Sequence, residues 1–198
     1  MSSQFHYATD ADGVATITWD QPETSMNVMN GEAFAELDAH LDTAFGDDAV
    51  KGVIITSAKK DFAGRMDLNV LAKMKADAGD DPAAGIMKGL MDIHAILRKI
   101  ERNNMDAKTN KGGKPVAWAS PGTSAGIGTE IALSCHRRFL ADNPKVCDRA
   151  KKFRKWNSFF GEFPLQIHRS FPRSVTPFFV DCLGLSLTQP HQTLHQPR

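Results

Sequence analysis

Pro115-Val-Ala-Trp-Ala119, followed by Gly122-Thr-Ser-Ala-Gly-Ile-Gly-Thr-Glu130 and Ile131-Ala-Leu-Ser-Cys-His-Arg-Arg138, is the stretch that decides the fold. It reads as strand, tight turn and helix. Glycines let the backbone turn sharply and approach a ligand closely, and the first N–H groups of a helix lack intrahelical acceptors. With the positive end of the helix dipole behind them, such donors form an anion cradle. Glu130 falls in the first turn of that helix, so a carboxylate able to move protons stands beside donors able to stabilise a developing negative charge.

Upstream, Val14-Ala-Thr-Ile-Thr-Trp19 alternates apolar and polar residues behind the turn residues Asp10-Ala-Asp-Gly13, which predicts a half-buried strand in a first strand pair. Phe34, Leu37, Leu41, Ala44 and Phe45 recur at helical spacing after Asn30, a suitable N-cap, and Gly46-Asp-Asp48 ends that helix. Val50 to Thr56 is a short β-branched run of the kind buried on both faces. Strand, helix and strand in this order imply a parallel βαβ unit. Asp61 to Leu71 leaves that strand through a loop and enters another helix. After the connector Asp77 to Pro82, Met87, Leu90, Met91, His94 and Leu97 form a stripe that predicts a core-facing helix, with His94 a partly buried core residue rather than a ligand. Lys108 to Lys114 reads as a solvated loop. The alternation up to Leu140 gives the α/β class.

The 198 residues suffice for one domain with a sizeable core, and 41% apolar content without a long apolar run fits a water-exposed globular chain with no membrane span. Met1-Ser-Ser-Gln-Phe-His lacks a basic segment followed by an apolar one, so a cytoplasmic location is expected. Cys135, Cys147 and Cys182 are odd in number and widely spaced, which argues for reduced thiols and against a disulfide framework or a zinc site; no metal is expected.

Composition breaks near residue 146. Residues 1–145 carry 16 Lys and Arg against 20 Asp and Glu, whereas residues 146–198 carry 8 against 3. The second segment also holds 7 of the 12 Phe and 5 of the 10 Pro, and its one alanine is Ala150. Two segments follow: a domain over 1–145 and an aberrant basic, Phe- and Pro-rich tail over 146–198, read as a solvated or poorly ordered extension.

Two chemistries compete at the turn. Gly122-Thr-Ser124-Ala-Gly126 matches the G-x-S-x-G nucleophile elbow, and Asp142 with His168, or Asp181 with His191, supplies an acid and a histidine in the order a serine hydrolase needs. The other chemistry is carboxylate catalysis by Glu130 beside the turn's donors. A turn that is only a structural connection is the third reading.

Four segments, in order, resemble the crotonase (enoyl-CoA hydratase/isomerase) superfamily over about residues 13–145. Pro22-Glu-Thr-Ser-Met-Asn-Val-Met-Asn30 is similar to its early Pro…Leu-Asn-Ala-Leu loop, and Gly52 to Leu68 is similar to its strand followed by Phe-x-x-Gly-x-Asp-Leu. Gly112-Gly-Lys-Pro-Val-Ala117 and the run from Gly122 to Asp142 are the third and fourth. The insertion between Leu71 and Lys114 resembles the hydratase part of multifunctional fatty-acid-oxidation proteins.

The resemblance implies a crotonase-like ββα spiral fold, C-terminally incomplete, and an acyl-CoA thioester substrate, with coenzyme A part of that substrate and no separate cofactor. It places the two backbone N–H donors of an oxyanion hole on Met66 and Ile127, and the catalytic carboxylate on Glu130. It further places Met26, Asn27, Val28, Ala63, Gly64, Asp67 and Gly126 at the CoA and substrate site, with the first three near adenine and Asp67 beginning the helix behind Met66. Family members commonly assemble as trimers or dimers of trimers. The implied reaction is hydration of a 2-enoyl-CoA to a 3-hydroxyacyl-CoA in fatty-acid β-oxidation, with acyl-CoA binding without turnover as the alternative.

Three departures stand out. Arg65 occupies a family glycine position, Ile127 replaces the middle glycine of a triplet, and the second catalytic glutamate of hydratases has no counterpart after Asn143-Pro-Lys145. If positions 65 and 127 need positive φ, the fit is strained. With Val146-Cys-Asp-Arg149 assigned the codons GTT TGC GAT CGG, a shift of one base gives Phe-Ala-Ile-Gly, similar to the family's continuation, so a shifted reading frame would account for the tail. Its Lys151-Lys-Phe-Arg-Lys-Trp156 cluster is too short and mixed to predict a nucleic-acid partner.

Overall fold

The computed structural model describes residues 2–103, 105–106, 108–109 and 111–141, together with the backbone of 165–168. Chain order is β1 (Phe5–Thr9), β2 (Val14–Trp19), β3 (Val28–Met29), α1 (Gly31–Gly46), β4 (Gly52–Ser57), β5 (Arg65–Met66), α2 (Leu68–Ala76), α3 (Pro82–Arg102), β6 (Val116–Ser120), α4 (Ile127–Ser134), β7 (Arg137–Ala141) and β8 (Leu165–His168).

One sheet has the order β1-β2-β4-β6-β7-β8 and a second, small one pairs β3 with β5. The β1–β2 hairpin turns on Asp10, whose carboxylate accepts from the N–H groups of Asp12 and Val14, with Gly13 at φ 82°. From β2 onward every pair in the large sheet is parallel. The predicted βαβ unit is β2-α1-β4, with Val14 opposite Gly52 and Trp19 opposite Ser57. Asn30 caps α1 through a side-chain bond from Ala33 N–H at 2.8 Å, and Leu37, Leu41 and Ala44 of that helix are fully buried against the sheet. Strands β4 and β6 are buried along almost their whole length, as β-branched and small apolar runs covered on both faces must be.

Two expectations change. On α3, Met87 and Met91 are 61% and 58% exposed and His94 is also exposed, so of the predicted stripe only Leu90 and Leu97 are partly buried and His94 is not a core histidine. The buried face is instead Ile93 and Ile100, flanked by Ile96 and Leu97, and Lys99 binds Asp38 and Asp42 of α1 at 2.6 and 2.7 Å. Both stripes have helical spacing; the packing of α3 on α1 selects the isoleucine one. Second, the helix after Glu130 stops at Ser134, because His136 leaves it to donate to Val116 O at 2.9 Å and Arg137 opens β7. The buried Arg138 donates to the carbonyls of Ala132 and Cys135 at the end of α4, the first of which also accepts from the Cys135 N–H.

The tail lies outside the described residues, with one exception: the backbone of Leu165–His168 adds β8 parallel to β7. No described helix is long and apolar enough to cross a membrane.

Candidate active site

Phe62 fixes the loop that follows β4. It is fully buried, with its ring edge-on to Trp19 at 5.8 Å and to Trp118 at 5.2 Å, while Phe5 stacks on Trp19 at 5.2 Å. Strands β2 and β6 thus hold Phe62, with Phe5 of β1 backing Trp19, and aromatic contacts of this kind add about 1 kcal/mol each beyond area burial. From that anchor the chain runs through Ala63 and Gly64 to Arg65 and Met66.

The glycine turn is strapped to the same loop. Phe62 N–H donates to Thr123 O at 2.8 Å and Ala125 N–H to Ala63 O at 3.0 Å, enclosing a parallel bridge between Ala63 and Ser124. Thr123 N–H donates to the Asp61 carboxylate at 2.6 Å. Gly122 is required by closeness, since a Cβ there would stand 2.1 Å from Lys60 O. Gly126, at φ 53° and ψ −128°, is required by conformation and sets the direction of α4. Its position brings the start of α4 over Arg65, whose Cα lies 3.8 Å from where a Gly126 Cβ would be.

Met66 and Ile127 therefore belong to adjoining segments. Ile127 is the first residue of α4, and its N–H has no acceptor among the described residues. The feared strain is absent: among the described residues only Glu23 and Asn103 are non-glycine residues at positive φ, so Arg65 and Ile127 sit in ordinary backbone regions. The Ile127 side chain is buried in the core. Glu130, one turn into α4, is exposed, and its carboxylate has no hydrogen-bond or ion-pair partner among the described residues. Asp67 caps α2 by accepting from Asn69 N–H at 2.9 Å and donates its own N–H to Met29 O at 2.8 Å, which holds the residue after Met66 in place.

Asn27 sits inside the loop that the resemblance places near CoA, held by its side chain. Its side chain is fully buried; Nδ2 lies within 3.2 Å of Trp19 O, Ser57 Oγ and Phe62 O, and Oδ1 accepts from Gln21 N–H. These bonds bracket the Gln21–Val28 loop against β2 and the Phe62 segment. Gln21 completes the bracket by accepting from Val28 N–H at 2.8 Å. Met26 is 37% exposed and its sulfur lies over Gly64, so Met26, Val28 and Gly64 form one surface. Ala63 is fully buried beneath it. Phe62 is marked by its motif, but its aromatic partners are distant in the chain, and neither they nor the Gln21 bracket are readable from local patterns.

Ser124 is not placed as an elbow nucleophile. It lies in the extended bridge to Ala63, and its Oγ is buried without a hydrogen-bond partner. Asp142, Asp181 and His191, and the side chain of His168, lie outside the described residues. Cys135, under α4, is fully buried, and desolvation pushes its thiol up to about 12, which leaves it an inert neutral packing group. Among the described residues no cluster of three or more His, Cys, Asp or Glu could hold a metal ion. A cavity of about 670 Å³ between α1, α2 and α3 includes Asp67 but neither Met66, Ile127 nor Glu130.

The sequence model of the enoyl-CoA hydratase/isomerase family matches residues 9–165. The chain belongs to this family. The match extends past residue 145, where the resemblance in the sequence stops, to the start of β8. Fatty acid oxidation complex subunit alpha of Shewanella oneidensis is 30% identical over 147 residues, 74% of this chain and 19% of that protein; the Shewanella amazonensis subunit is 28% identical over the same length. Among solved structures, an enoyl-CoA hydratase/isomerase from Xanthobacter autotrophicus Py2 superposes with a TM-score of 0.56 at 26% identity, covering 72% of this chain and 47% of that one. An enoyl-CoA hydratase from Thermoplasma volcanium has a TM-score of 0.56 at 25% identity, covering 72% and 50%. The fold is thus the crotonase fold, and the chain spans about a fifth of the curated relatives' length and about half of those solved hydratases.

Proposed function

We propose that the chain binds acyl-CoA thioesters and hydrates 2-enoyl-CoA. The observation that carries this reading is the Ala63–Ser124 bridge, which joins the Met66 loop to the start of α4, where the Ile127 N–H has no acceptor among the described residues and Glu130 is exposed. In hydration, water oxygen bonds to C3, the double-bond electrons move onto the thioester oxygen, and a proton is delivered to C2. The Met66 and Ile127 N–H groups would hold that enolate oxygen, each donor contributing about 3 kcal/mol in a preorganised site and the α4 dipole acting in the same sense. Glu130 would hold the water and exchange its proton.

A second reading, CoA-thioester binding without turnover, is favoured by one observation: no glutamate after Lys145 stands in the context of the family's second catalytic carboxylate. Crotonyl-CoA separates the two. Binding followed by calorimetry, with loss of the enoyl-thioester absorbance followed in parallel, reports hydration under the first reading and binding alone under the second. Absence of binding would remove both.

A further inference from the structure

We propose that Arg65 recognises an anionic oxygen group that the thioester substrate carries outside its reacting carbonyl, namely a phosphate of CoA or a carboxylate at the end of the acyl chain. The assignment rests on the acyl-CoA reading above and adds a specificity residue to it.

Three observations converge on Arg65. First, side chains alternate along a strand. Met66 packs against the core, so Arg65 on the two-residue β5 presents the opposite face. Its register partner in the parallel pair is Val28, which places Arg65 on the surface shared with Met26 and Gly64 rather than in the interior.

Second, the charge is unused. Arg65 is exposed and has no hydrogen bond or ion pair among the described residues. Lys59, on the same loop, is by contrast engaged, reaching Asp20 at 3.2 Å and Thr24 O at 2.6 Å. An arginine left open beside a ligand site presents a planar fork matched to phosphate and carboxylate.

Third, the position is focused. Arg65 directly precedes the donor Met66, and Gly126, which starts α4, faces the Arg65 Cα. The guanidinium and the positive end of α4 therefore attract an anion at one mouth. Arg65 has no positive φ, so no conformational demand for glycine opposes a side chain there.

The test is calorimetric binding of three thioesters to the full chain and to Arg65→Ala and Arg65→Lys, with a melt to verify folding of each variant. Crotonyl-CoA carries phosphates only, crotonyl-pantetheine carries no anionic group, and the pantetheine thioester of 4-carboxybut-2-enoic acid carries a carboxylate only. Arg65→Ala weakens crotonyl-CoA about tenfold, Arg65→Lys recovers part of it, and crotonyl-pantetheine is unaffected, which identifies phosphate as the group. A loss confined to the carboxylated pantetheine ester supports the assignment with the acyl carboxylate as the group. Equal loss for all three esters, or loss for none, overturns it while leaving the acyl-CoA reading standing. Wild-type protein that binds none of the three refutes the acyl-CoA reading itself, and the Arg65 assignment with it.

Discussion

Ala63 and Ser124 are opposite one another in a parallel bridge, 61 positions apart in the chain, and that pairing makes one site of two loops. The loop after β4 carries Met66; the turn after β6 carries Gly126, Ile127 and Glu130.

Gly126 is the most sensitive backbone position of the turn. A Cβ there would meet only ordinary contact with the Arg65 Cα, but φ 53° with ψ −128° is a conformation that a Cβ disfavours. Gly126→Ala should cost about 1–3 kcal/mol in urea unfolding and lower turnover further by turning the Ile127 N–H away from the thioester oxygen. An unchanged urea midpoint would contradict the conformational argument.

Asn27 separates a structural role from a ligand role. Asn27→Ala leaves the Phe62 carbonyl and the Gln21 N–H without their partner and removes a bond from Trp19 O and Ser57 Oγ, so a loss of about 3 kcal/mol in stability is expected. Weaker CoA binding with full stability would instead put its amide on the ligand.

Ser124→Ala distinguishes thioester hydration from serine hydrolysis. Its hydroxyl is buried and unpaired, so removing it should change stability by less than about 1 kcal/mol and leave hydration intact. An esterase activity abolished by this substitution would restore the nucleophile elbow.

His136 gives the fold an acid-sensitive joint. Its Nδ1 accepts from Val116 N–H at 3.0 Å, and burial pushes its pKa below the ordinary 6.5, because protonation would charge a partly desolvated ring. The unfolded chain binds the proton more readily, so the stabilisation is complete above about pH 6.5 and is lost as pH falls through the depressed folded value. The urea midpoint should drop between pH 7.5 and 5, and His136→Gln should flatten that drop. Parallel pH profiles of the two proteins would exclude the role.

Much of this was legible in the chain. Asn30 and the spacing of Phe34 to Phe45 specify α1, and the β-branched run to Thr56 specifies β4, because caps and periodicity are local. Glu130 and the glycine turn were readable for the same reason. Hidden were the Val28–Arg65 pairing, the Asn27 bracket and the wedge of Phe62 between Trp19 and Trp118, all made by residues distant in sequence. On α3 two apolar stripes were compatible with one helix, and contact with α1 chose Ile93 and Ile100 over Met87 and Met91.

The central claim is that Glu130 acts beside an enolate-holding pair of backbone donors. Hydration of crotonyl-CoA by wild type and Glu130→Gln, with binding measured on the same samples, tests it most directly. The account predicts equal binding and at least a hundredfold loss of hydration, on the order of what a positioned proton-transfer group contributes. Equal hydration by both proteins would contradict it.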